Sequence, residues 1–162
     1  MAQSDDPGKR ALALVEDALH SSITVSRLLS TAADGGYVFD DPPIDRLRDG
    51  EQPHFAYYNR LKGISVGSRW GSMRPDVDGG TLILITDERI LTLIGREDGD
   101  LEFSLPYESV KECWYNDGRL KKRILIETDE DRYHLWISPK VGITSIEKGA
   151  AYVAEKIDEL EE

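Results

Sequence analysis

Residues 52–139 carry their apolar side chains at the two-residue period of β-strands, and residues 145–160 carry theirs at the helical period. That switch restricts the fold more than any other feature of the chain. Leu82, Ile83, Leu84 and Ile85 face Ile90, Leu91, Leu93 and Ile94 across the short polar turn Thr86-Asp87-Glu88, the pattern of a hairpin. Phe55 to Tyr58 reads as a strand, and Ile64 to Trp70 as a weaker one among glycines. Leu101 to Leu105 stops at Pro106, and Val110 to Tyr115 runs into the tight-turn pair Asp117-Gly118. After that turn Leu120, Ile124 and Ile126 share one face, with Arg119, Lys121 and Arg123 on the other. Beyond Asp129-Glu130-Asp131, Tyr133, Leu135 and Ile137 alternate with Arg132, His134 and Trp136. Strands this short and this evenly spaced make an antiparallel sandwich or barrel. Thr144 and Glu147 stand at capping-box spacing, and Ile146, Ala150, Val153, Ile157 and Leu160 form one helical stripe to be buried on the β-unit.

Upstream, Asp6-Pro7 has the form of a helix start. Ala11, Leu14, Val15, Ala18 and Leu19, then Val25, Leu28, Leu29 and Ala32, give one helix or two short ones ending at Gly35-Gly36. Residues 1–36 are thus a helical extension, and residues 37–50 an extended linker, with Pro42-Pro43 excluding a central strand and Tyr37, Phe39 and Ile44 as anchors. Residues 51–162 form the main domain, with its terminal helix at about 145–160.

The charge narrows the function. Twenty Lys and Arg stand against 31 Asp and Glu, a formal net charge of −11, and the acid is spread along the chain. Such a field repels phosphate backbones and anionic headgroups, so nucleic acid is excluded and membrane contact disfavoured as general partners. Spread acidity with little Lys matches the proteins of a salt-accumulating, halophilic archaeon, and the absence of a basic-then-apolar leader or a bilayer-length run points to the cytoplasm. Cys113 is the sole cysteine and reads as a core residue.

The run Leu84-Ile85-Thr86-Asp87-Glu88-Arg89-Ile90-Leu91 looks like the "leucine-threonine-acidic/asparagine-x-arginine-leucine-leucine" hairpin of prokaryotic pleckstrin-homology-like proteins. Phe103-Ser104-Leu105-Pro106-Tyr107-Glu108-Ser109-Val110 is similar to their "isoleucine-proline-tyrosine-x-x-isoleucine" step, and Leu47 through Gly50-Glu51 resembles the leader into their first strand. The resemblance covers roughly residues 47–160. It implies an α+β, mainly β fold: a bent antiparallel barrel of about seven strands capped by a C-terminal helix. It does not imply one function, since the superfold serves phosphoinositide, peptide and protein binding alike.

No catalytic, metal or cofactor set is legible. His20, His54 and His134 lie in separate segments, and the pairs Asp98/Asp100 and Asp129/Asp131 lack the length and glycine of a calcium loop. We therefore expect a non-enzymatic binding or scaffold module, with another protein as partner and a homo-oligomer as a further option. The protein-binding candidates are Trp136, His134, Arg123, Lys121 and Arg119, because a Trp beside cations on an outward strand face has the makings of a contact hot spot. The same Trp136 would equally serve as the seat of the N-terminal helices. The alternative function is a phospholipid or anionic-ligand sensor using the locally basic loop 59–80, with Arg60, Lys62, Arg69 and Arg74 as its anion-binding candidates; the resemblance adds interest here, because lipid-binding members carry basic residues after the first strand. If the acidic surface is a salt adaptation, the melting temperature will rise between low and molar potassium chloride as self-repulsion is screened; a flat or falling value would remove that reading.

Overall fold

Asp6, whose carboxylate accepts the Gly8 N–H at 2.9 Å, caps α1 (Pro7–Asp17), and the Thr24 hydroxyl caps the short α2 (Val25–Leu29). The strands follow in chain order: β1 (Pro53–Asn59), β2 (Ile64–Val66), β3 (Thr81–Thr86), β4 (Arg89–Ile94), β5 (Leu101–Pro106), β6 (Val110–Asn116), β7 (Arg123–Thr128) and β8 (Arg132–Trp136). The helix α3 (Ile143–Glu161) ends the chain. The computed structural model describes residues 6–67, 73–116, 118 and 121–161.

The strands form two antiparallel four-stranded sheets, ordered β1-β3-β4-β5 and β2-β8-β7-β6. The described residues hold eight strands, in keeping with a barrel of about seven, with β1 and β2 separated at residues 60–63. β1 pairs with β3 in one sheet and β2 with β8 in the other, so residues 53–66 cross from sheet to sheet at a corner. Phe55, Tyr57, Ile83, Ile85, Ile90 and Ile94 of the first sheet share a core with Ile124, Ile126 and Leu135 of the second. Into this core α3 sets Ile146, Val153 and Ile157. Gly149 lets the helix close on β1: a Cβ there would overlap the Tyr57 hydroxyl, which donates to the Ser145 carbonyl at 2.6 Å.

Two details of that helix differ from expectation. Leu160 is 54% exposed, because the last turn carries it to the rim of a groove beside Tyr107. The helix begins at Ile143, so Thr144 lies inside its first turn, and Glu147 accepts a hydrogen bond from the Tyr115 hydroxyl at 3.2 Å.

β3 and β4 are buried along their whole length, which explains their nearly unbroken apolar sequence. Their second face, Leu82, Leu84, Leu91 and Leu93 with Ala56, lies in a separate cluster with Ala11, Ile23, Leu28, Val38, Ile44 and Leu47. The N-terminal region is therefore a third layer on the first sheet, and Trp136, on the second sheet, is not its seat. The linker is less extended than expected: a 3-10 turn at Pro43–Arg46 buries Ile44 completely.

One ion pair locks the layer in place. Arg89 donates to Glu51 through Nε at 2.9 Å and Nη2 at 3.0 Å, and the Thr86 hydroxyl donates to the same carboxylate at 2.7 Å. Both charged residues are almost fully buried. Arg89 Nη2 also reaches the Arg46 carbonyl at 2.9 Å, and the Tyr107 hydroxyl donates to the Thr86 carbonyl at 2.6 Å. Desolvation by itself would raise the Glu51 pKa, but the hydrogen bonds from Arg89, the Arg48 backbone and Thr86 outweigh it and hold the carboxyl below its ordinary value.

Two outcomes follow from this packing. Truncating Val153, fully buried at the middle of α3, to Ala will cost about 1–3 kcal/mol in a denaturant melt; an unchanged midpoint would place the helix outside the core. Since the Glu51 pKa is depressed in the folded state, its contribution is complete above the ordinary value of 4.5 and declines as pH falls through the lower folded value. Replacing Arg89 by Leu strands the Glu51 charge and will cost about 3–5 kcal/mol at neutral pH, and the variant's melting temperature will fall less on acidification than the wild type's.

Candidate functional site

With the N-terminal layer on the first sheet, the outward face of the second sheet is the one left without a covering element among the described residues. Alternation fixes its composition. Cys113, Tyr115, Ile124, Ile126, Tyr133 and Leu135 turn to the core, so Trp114, Leu125, His134 and Ser65 turn out. They stand in one cross-strand row, since Trp114 pairs with Leu125, Leu125 with His134 and His134 with Ser65. In the adjacent row Arg123 pairs with both Asn116 and Trp136. Leu125 belongs to neither core cluster, yet it is only 6% exposed between its larger neighbours.

Trp136 is the centre of the face. Its indole N–H donates to the Ser65 hydroxyl at 2.9 Å, which holds the ring across β2. Lys62 Nζ lies 4.3 Å and Arg123 Cζ 4.9 Å from the ring centroid, both within cation–π range, and His134 stacks on the same ring at 6.3 Å. Trp114 has its own cation, Arg132, at 5.1 Å, and Arg132 pairs with Glu127 at 3.1 Å. Burial, and then the Arg123 charge, push the His134 pKa below its ordinary value, partly opposed by a hydrogen bond with the Gly67 backbone. The imidazole is therefore neutral at neutral pH.

A small cavity of about 40 Å³ opens beside the ring, lined by Lys62, Gly63, Ile64, Ser65, Met73, Arg74 and Trp136. Gly63 makes it: a Cβ there would overlap the Met73 carbonyl, and the Gly63 carbonyl accepts the Trp136 N–H at 3.2 Å. The cavity has room for one small polar group, not for a cofactor.

The two candidate sets thus meet. Lys62 and Arg74 of the basic loop share one cavity with Trp136, and Arg123 and His134 flank the same ring. Arg60 is used differently: it donates to the Gly35, Gly36 and Gly79 carbonyls and lies over Tyr37 at 4.2 Å, tying the N-terminal layer to the barrel corner. Lys121 is exposed in the loop before β7, while Arg69, Arg119, Trp70 and Leu120 lie outside the described residues. Trp114 and Ser65 went unread in the sequence. The core assignment of Cys113 was a sufficient signal for Trp114, because its neighbour on a strand must face outward. Ser65 had no signal, as its role depends on β2 pairing with β8.

The remaining polar groups have structural uses. His54 Nδ1 accepts the Leu19 N–H at 3.1 Å, and His20 stacks on Phe55. The Asp100 carboxylate accepts the backbone N–H groups of Phe39, Asp40 and Arg96. Burial pushes the Cys113 thiol up to about 12, so it is an inert core group. No group of His, Cys, Asp and Glu suited to a metal ion occurs among the described residues, and none of their helices is long and apolar enough to cross a membrane.

Comparison with known proteins agrees with this architecture. The chain is similar in fold to the Vps36 N-terminal PH domain, with a TM-score of 0.50 and 16% identity over 67% of this chain and 83% of that one. A DUF1696 family protein with a pleckstrin-homology domain from Shewanella loihica PV-4 aligns with a TM-score of 0.45 and 12% identity over 68% and 87% of the two chains. No curated protein matches the sequence. The sequence profile of the family described as "Bacterial PH domain" matches residues 47–148, well over half the chain, so the protein belongs to the bacterial PH domain family.

Proposed function

We propose that this protein is a non-enzymatic binding module whose partner is another protein, and that the outward face of the β2-β8-β7-β6 sheet is its contact surface. One observation carries the reading: Trp136, hydrogen-bonded to Ser65 and flanked by Lys62, Arg123 and His134, sits half-buried on the sheet face that the N-terminal layer leaves uncovered. A ring held in this way offers apolar area at low entropic cost, and its cations supply orientation. Trp114, half-buried on β6, extends the apolar part of the face. Membership of the PH family supports a binding or scaffold role in general, since PH domains are typically non-catalytic.

The second reading, an anionic phospholipid sensor, draws on two exposed apolar side chains beside the basic loop residues, Leu61 at 80% and Val77 at 83% exposure. The net charge of −11 opposes it at long range.

Replacing Trp136 by Ala will leave the far-UV circular dichroism unchanged and the melting temperature within a few degrees of the wild type, yet abolish capture of the protein partner in a pull-down from the source cells at native salt. Retention of every captured protein by the folded variant would overturn the assignment. Co-sedimentation of the wild type with phosphatidylglycerol vesicles at several salt concentrations will show no binding; binding that fades with salt would favour the phospholipid reading.

A further inference from the structure

The cations around Trp136 meet the ring but no carboxylate inside the molecule. Arg46, Arg48, Arg89, Lys111, Arg132 and Lys156 form ion pairs, while Lys62, Arg74 and Arg123 are among the cations with no carboxylate partner among the described residues. In a chain with 31 acidic residues, three unpaired cations about one ring are a local reversal of the field. Two further polar atoms there are unmet. Arg123 Nε and His134 Nδ1 are buried from solvent without a hydrogen-bond partner among the described residues. The Arg123 Nε–H is a buried donor, and its vacancy marks where an acceptor belongs, whereas Nδ1 of the neutral His134, whose other ring nitrogen bonds the Gly67 backbone, is itself an acceptor. Ser65 accepts from the Trp136 indole, which leaves its own O–H free to donate.

The geometry points to a carboxylate of an acidic segment of the partner protein as the group that docks beside Trp136, between Lys62, Arg74 and Arg123. The inference rests on the reading of this face as the protein-binding surface, and adds the chemistry of what it recognises. The cavity of about 40 Å³ has the scale of one small polar group. The neighbouring half-buried Trp114 presents apolar surface on which the rest of such a segment lies. A peptide brings few charges at once and meets only the local cations. A membrane or a nucleic acid would bring an extended anionic surface against the whole net-negative chain.

The test uses the full chain and a dansyl-labelled decapeptide of Glu, Asp and Leu, with the same peptide carrying Gln and Asn as its control. The acidic peptide will bind, with energy transfer from tryptophan to dansyl, and the amide peptide will bind at least tenfold more weakly. The Lys62→Glu/Arg123→Glu double variant will weaken the acidic peptide at least tenfold. If that variant does not fold, Lys62→Gln at the exposed Lys62 will still weaken it measurably while the melting temperature holds. Equal binding of the two peptides, no binding, or indifference to both variants would overturn the proposal. So would binding of phosphatidylglycerol vesicles or oligothymidylate in place of the peptide. The two readings fail separately. If Trp136→Ala loses the cellular partner and the charge-reversal variant keeps it, the face is right and the acidic recognition wrong; if Trp136→Ala also keeps it, the face itself is wrong.

Discussion

The buried pair of Glu51 and Arg89 is the contact on which the rest of the architecture depends. An ion pair removed from water is stable only when its remaining donors and acceptors are met, and here they are. Thr86 donates to the Glu51 carboxylate, the Arg46 carbonyl takes a guanidinium N–H, and the Tyr107 hydroxyl closes over the Thr86 carbonyl. The pair therefore joins four separate stretches of chain: the end of the linker, the turn before β1, the β3–β4 hairpin and the turn between β5 and β6. It also accounts for three sequence similarities at once. Glu51 closes the leader from Leu47, Thr86 and Arg89 belong to the hairpin motif, and Tyr107 belongs to the step after Pro106. Motifs scattered between Leu47 and Val110 are the parts of one polar cluster.

Pinning the linker at that point directs the N-terminal helices onto the first sheet. Their apolar stripe meets Leu82, Leu84, Leu91 and Leu93, and the hairpin becomes the middle of a three-layer stack. Arg60 secures the far end of the same layer through the Gly35 and Gly36 carbonyls. The outcome is an asymmetric domain. One sheet is covered on both faces, and the other keeps an outward face that carries Trp114, Trp136 and unpaired cations. That asymmetry gives the binding proposal its location.

Much of the fold was legible because local patterns and tertiary packing agree. The alternation of Tyr133, Leu135 and Ile137 with His134 and Trp136 named both faces of β8, and the period-four-and-three stripe of α3 named Ile146, Val153 and Ile157. Errors came where local rules meet a neighbour from elsewhere. Thr144 and Glu147 match a capping box, but Tyr115 engages Glu147; Leu160 fits the stripe, but the last turn places it at a groove rim. Trp114 was within reach of alternation alone, had it been followed through Cys113.

The sequence by itself determined the order of elements, the inward and outward faces of most strands and the family, because period, turn chemistry and short motifs are local properties of the chain. It also placed an aromatic residue and cations on one face, and a basic loop elsewhere in the chain. Only the tertiary structure decided that these lie together. Lys62 and Ser65 reach Trp136 through the pairing of β2 with β8, across a separation of 71 residues between Ser65 and Trp136. It likewise decided which sheet the N-terminal helices cover, through the packing of their stripe on Leu82, Leu84, Leu91 and Leu93, the Glu51–Arg89 contact and the Arg60 bonds to Gly35 and Gly36. Both outcomes rest on long-range pairing, whose partners are chosen by closure of the whole barrel and leave no mark in any single window of sequence.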